Sequence, residues 1–133
     1  MAVASITEII DADLKEVWNV VTSLDNFGWR SDLKDIKLIN EKEFAEYTKD
    51  GYSTTFTITK TEPYKCWEFD MENENMTGHW KGTFTKVDDK TKITFTEEVV
   101  AKKLIMRPFV GIYLKRQQIR YVNDLKKVID SPL

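Results

Sequence analysis

The sequence predicts an α+β domain in which one curved, seven-stranded antiparallel sheet wraps a single long C-terminal helix. Three observations lead to this reading. From Ile105 to Asp130, residues Val110, Leu114, Gln117, Tyr121, Leu125 and Val128 recur at steps of three and four, which at about 3.6 residues per turn line one helical face. Lys115, Arg116, Arg120, Asn123, Lys126 and Lys127 fall on the other side, a solvated face. Most of the chain before this helix alternates apolar and polar side chains between short turns, the signature of strands with one buried face. Such a sheet needs a covering element, and the long helix is the only candidate.

The elements follow in order. Residues 3 to 10, with Ile6 and Ile10 on one side and Thr7 on the other, read as a first strand. Asp13 and Glu16 form a capping-box-like start to a helix whose buried stripe is Leu14, Val17, Trp18 and Val21 and which ends near Ser23. Asn26-Phe27-Gly28 is a turn, and Trp29 to Leu33 suits a second, short helix. Strands are expected at Asp35–Asn40, Glu43–Lys49, Tyr52–Lys60, Tyr64–Met71, Thr77–Val87 and Thr91–Ala101. Lys49-Asp50-Gly51 and Asp88-Asp89-Lys90 are hairpin turns, and Glu62-Pro63 breaks the meander between two strands. Alternation places Tyr52, Phe56, Trp67, Phe69, Met71, Trp80, Gly82, Phe84, Ile93, Phe95, Glu97 and Val99 on the inner face.

Composition narrows the function classes. At 133 residues the chain suits one domain, spanning 1–133, that buries roughly two thirds of its unfolded surface. No apolar run approaches the roughly 20 residues of a bilayer span, so no membrane insertion is expected. Residues 1 to 5 lack the features of a secretory leader, which makes the cytoplasm the expected compartment. A net charge of −2 with interspersed signs argues against a nucleic-acid partner, and Lys102-Lys103 and Lys126-Lys127 read as doublets. One cysteine, Cys66, and one histidine, His79, exclude a multi-histidine or multi-cysteine metal centre, and no cofactor is expected.

Several local motifs carry a resemblance to a known family: Val17-Trp18 in the first helix, Trp29 after it, Glu62-Pro63 before a strand, Gly78-His79-Trp80-Lys81-Gly82-Thr83-Phe84, and Thr91-Lys92-Ile93-Thr94-Phe95. With the element order, they resemble the START-like (SRPBCC) superfamily, specifically its bacterial polyketide cyclase/dehydrase-like group. The resemblance covers nearly the whole chain and implies the helix-grip fold. It implies a small hydrophobic or amphipathic ligand, such as a lipid, polyketide-like or aromatic compound, held between sheet and helix by a monomer or weak homodimer. An acid/base cyclase or dehydratase on the same cavity, or a protein-interaction module like the Hsp90 activators of the superfamily, are the alternatives.

No nucleophile elbow, phosphate loop or Cys/His pair is present, so the candidate chemistry rests on polar side chains facing an apolar interior. Glu97 is the sharpest: burial would raise its pKa and fit it to donate a hydrogen bond or to exchange a proton. A bulge turning Glu98 inward instead is the competing register. Gln117 interrupts the helix stripe, either orienting a ligand or pairing with Glu97, and Tyr113 and Tyr121 lie near the same face. Trp67, Phe69, Trp80, Phe84 and Phe95 would wall a cavity or simply form core. Arg30 is expected to pair with Asp32 or Asp35, or else to bind Glu97 or an anionic ligand head, and His79 to face outward.

Overall fold

The computed structural model describes residues 1–130. Its elements run β1 (Ala2–Ile10), α1 (Leu14–Thr22), β2 (Leu33–Leu38), β3 (Glu43–Thr48), β4 (Ser53–Glu62), β5 (Cys66–Glu72), β6 (Met76–Val87), β7 (Lys90–Ala101), a 3-10 turn (Leu104–Met106) and α2 (Arg107–Asp130). All seven strands form one antiparallel sheet in the order β1-β7-β6-β5-β4-β3-β2. Sequential neighbours pair through short turns, and β1 closes against β7. This is the helix-grip arrangement, with α2 lying over β1 and β7.

Local chemistry accounts for the boundaries. Asp13 caps α1, its Oδ1 accepting from the Glu16 N–H at 2.8 Å. Gly51 takes φ +91° in the β3–β4 turn, and Tyr64 and Asp88 hold positive φ in the turns after β4 and β6. Thr91, fully buried, donates its hydroxyl to Ala12 O at 2.9 Å and so ties the start of β7 to the loop entering α1.

The inner face is an aromatic stack. Phe69 and Trp80 lie parallel at 4.8 Å between centroids, Phe44 and Phe56 at 4.9 Å, and Trp67 meets Phe69 edge-on at 5.2 Å. Gly82 is what lets the Trp80 ring lie flat along the strand: a Cβ there would meet Trp80 Cζ3 at 2.8 Å and Phe95 Cδ1 at 3.2 Å. Ile10, Val17, Ile93, Val99, Leu114, Val122 and Leu125 complete the core.

Three expectations are corrected. The second helix expected over Trp29 to Leu33 does not form: residues 29–32 make turns and Leu33 opens β2, because the polar groups of the segment are claimed by distant partners, Arg30 by Glu46 on β3 and Ser31 by Asp124 on α2. Tyr52 precedes β4 and is 53% exposed, so the inner face of that strand begins at Thr54 and centres on Phe56. The buried stripe of α2 also differs in its middle: Leu114, Gln118, Val122 and Leu125 are buried, while Gln117 sits at the margin.

Candidate functional site

Apart from Thr91, the buried polar side chains among the described residues gather where the Trp29–Asp32 segment crosses α2 above β7. Tyr121 is its hub. The Trp29 ring meets Tyr121 edge-on at 5.1 Å, the Arg30 guanidinium carbon lies 5.0 Å over the Tyr121 ring centre, and Phe95 approaches from the sheet at 5.6 Å.

The segment is pinned from two sides. Arg30 Nη1 donates to Glu46 Oε2 at 3.0 Å and Nη2 to Asp32 Oδ2 at 3.1 Å, all three side chains being largely buried. Burial is the largest single effect and opposes the arginine charge, yet Glu46, Tyr121 and Asp32 together outweigh it, and the guanidinium is held even more firmly protonated than usual. One residue on, the Ser31 N–H and hydroxyl both donate to Asp124 Oδ2, at 2.9 and 2.8 Å.

Glu97 points inward. It sits between buried Phe95 and Val99 on β7, opposite Ala4 of β1 and Trp80 of β6, and is 8% exposed, whereas Glu98 is exposed. Burial pushes its carboxyl up to about 7; Gln118 and the Arg30 charge pull it down, and Glu46 pushes it further up. A carboxyl so placed exchanges its proton near neutrality.

Gln118 holds the helix position that faces Glu97. Its Nε2 donates to Ala4 O at 3.0 Å and reaches toward Phe95 O at 3.4 Å, which fixes the amide orientation, since the reverse would set oxygen against two carbonyls. The remaining atom, Oε1, is buried without a partner. Arg30 Nε and Trp29 Nε1 are the other buried side-chain atoms without partners among the described residues.

The predicted residues divide accordingly. Glu97 and Tyr121 lie together in this cluster; Trp67, Phe69, Trp80, Phe84 and Phe95 are buried in the adjoining aromatic stack. Gln117 does not reach Glu97: its Nε2 donates to the Tyr113 hydroxyl at 3.1 Å, and Tyr113 is 54% exposed at the helix flank. Sequence reasoning missed Gln118, Glu46 and Asp124. The spacing Leu114-Gln118-Val122 was a visible signal for Gln118; the other two depend on contacts across the fold.

Hollows large enough for a small molecule occur elsewhere. One, of about 510 Å³, lies between α1 and the end of α2 and is bordered by Asp13, Glu16, Asn19, Val20, Trp29 and Val128. Another, of about 320 Å³, lies on the outer sheet face beside His79, Lys81, Thr94 and Glu98. There His79 bridges Asp70 Oδ1 at 2.7 Å and Glu68 Oε1 at 2.8 Å, and although partial burial works against it, these bonds raise the imidazolium pKa.

The family model described as "Polyketide cyclase / dehydrase and lipid transport" matches residues 1–130. The chain belongs to that family. No curated protein matches this member of the family. Among solved structures, it is similar to a START superfamily protein from Mycobacterium smegmatis, with 9% identity, 98% of each chain covered and a TM-score of 0.90. A conserved protein from Geobacillus kaustophilus gives 15% identity, 96% and 94% coverage and a TM-score of 0.83. The Aha1 dimer from Colwellia psychrerythraea gives 15% identity, 98% and 97% coverage and 0.75. At these identities the likeness is one of fold. No helix among the described residues of this polyketide cyclase/dehydrase and lipid transport family member is long and apolar enough to cross a membrane.

Proposed function

We propose that this protein binds one small amphipathic molecule, its polar end received by Glu97, Gln118, Arg30 and Tyr121 and its apolar body laid along the aromatic inner face at Trp80 and Phe95. The observation that supports this most strongly is the convergence of orphaned buried polar atoms, Arg30 Nε and Gln118 Oε1, around Tyr121 and Glu97. An unpaired buried donor or acceptor costs about 1–3 kcal/mol, and a group that satisfies several at once recovers that cost as affinity. A ligand offering both an acceptor, for Arg30 Nε and a neutral Glu97, and a donor, for Gln118 Oε1, fits; a hydroxy-ketone or a fatty acid derivative has this character. The α2 segment before Leu114 is largely exposed, so a ligand enters by parting this end of the helix from the sheet.

A second reading, acid/base catalysis of a cyclisation or dehydration, is favoured by one observation: Glu97 titrates near 7, where it serves as both acid and base. Native mass spectrometry of the protein purified from its own host, followed by denaturation and identification of any released small molecule, tests both. A stoichiometric compound retained by the wild type and lost from Glu97→Gln and Arg30→Gln is the expected result. Retention unchanged in both variants would place the ligand away from this cluster.

A further inference from the structure

The start of α2 presents an exposed apolar surface that lies outside the interior polar cluster. Leu104, Ile105, Met106, Phe109, Ile112 and Tyr113 are all more than half exposed, with Leu104 at 71% and Ile105 at 77%. They are six of the fifteen large apolar residues exposed among the described residues, gathered within ten positions. Leu104 to Met106 form a single 3-10 turn with no buried member, so all three apolar tips project from the end of the helix.

Charge is as one-sided as hydropathy here. From Lys102 to Asn123 there are six basic residues, Lys102, Lys103, Arg107, Lys115, Arg116 and Arg120, and no acidic one, in a chain whose net charge is −2. All six are exposed. Lys102 also pairs with Glu72 at 3.0 Å, Arg107 Nε donates to Ala101 O and Lys115 Nζ to Ser5 O, which leaves Lys103, Arg116 and Arg120 as the outward cations of the patch. The sequence presents Lys102-Lys103 as an isolated doublet; the turn and helix bring it alongside the other cations.

We infer that this face docks on an anionic lipid surface, with the Leu104–Met106 turn and Phe109 entering the headgroup boundary and the surrounding lysines and arginines meeting lipid phosphates. Apolar tips ringed by cations match that boundary, where a helix buries its apolar face about 5–10 Å deep and each cation contributes about 1 kcal/mol. A second copy of the chain fits less well. Two-fold pairing would set the same cations against one another, and the carboxylate that reaches the patch, Glu72, is already engaged by Lys102. The contact is peripheral, and it does not depend on the interior ligand site.

Vesicle co-sedimentation tests the inference, with pure phosphatidylcholine against phosphatidylcholine mixed with phosphatidylglycerol. The protein is expected to pellet with the mixed vesicles, to stay in the supernatant with pure phosphatidylcholine vesicles, and to be released from the mixed vesicles as salt rises. The double variant Lys103→Gln/Arg116→Gln is expected to bind about thirtyfold more weakly. Ile105→Ser/Phe109→Ser is expected to abolish binding with an unchanged melting curve, both side chains being exposed. Equal binding to the two vesicle types, or to neither, overturns the inference. So does a dimer in light scattering that Ile105→Ser/Phe109→Ser converts to monomer, which would assign the patch to a second copy.

Discussion

Replacing Glu97 with Gln preserves the shape of the side chain but removes its titration, and the pH dependence of stability is expected to flatten as a result. In the folded protein the carboxyl keeps its proton up to about 7, against 4.5 for the ordinary group, and burial is the main cause. Between those values the folded state binds more protons than the unfolded chain, so stability falls as pH rises. The contribution is fully present below 4.5 and is lost as pH passes through about 7. From pH 5 to pH 8 this amounts to about 2–3 kcal/mol, and the side chain's low exposure leaves little screening to reduce it. Urea unfolding of the wild type and Glu97→Gln at matched pH values measures it directly. The charged groups facing Glu97, Arg30 and Glu46, are present in both proteins. The wild type is expected to lose stability relative to the variant by that amount as pH rises. Parallel curves would mean that Glu97 is solvated and ionised throughout, and the acid would then have no role as a neutral donor.

Three further outcomes follow from the same geometry. Gly82→Ala drives a methyl into the Trp80 ring and toward Phe95, and is expected to cost about 2–3 kcal/mol of unfolding free energy, read by urea denaturation. Gly111→Ala meets nothing within 4 Å on an exposed helical turn, and is expected to stabilise by about 1 kcal/mol, seen as a raised thermal midpoint. Asp124→Ala removes both hydrogen bonds from Ser31 and is expected to destabilise by about 2–3 kcal/mol, with faster amide exchange at Arg30 and Ser31 as the local signature.

The sheet was legible because a two-residue period leaves little freedom. Ile93, Phe95, Glu97 and Val99 can share a face only in one register, and Glu97 followed its neighbours inward with no bulge. The long helix was legible to within two residues at its start, but its orientation was not. Gln117 and Gln118 are adjacent, a helix turns about 100° per residue, and only the choice of β1 carbonyl, Ala4 O, decides which amide is buried. The Trp29–Asp32 segment failed for a related reason. Its local composition allows a helical turn, but bonds to Glu46 and Asp124, residues far along the chain, outweigh a propensity worth a few tenths of a kcal/mol per residue. Tyr121 was placed by periodicity alone; its arginine and tryptophan neighbours were not predictable from spacing.

The pairing of β1 with β7 has a consequence for how the protein is made. Ala2–Ile10 leaves the ribosome early, yet every rung of its ladder is supplied by Lys90–Ala101, and the groups that clamp it from above, Lys115 and Gln118, come later still. During synthesis the β2–β6 meander can zip up neighbour by neighbour, while the first strand waits as an unpaired edge. Contacts of such long sequence separation slow folding and leave an edge open to other chains in the interval. The apolar–polar alternation of β1, with Ser5 and Thr7 on the face that later meets Thr96 and Thr94, keeps that waiting strand half polar until its partner arrives.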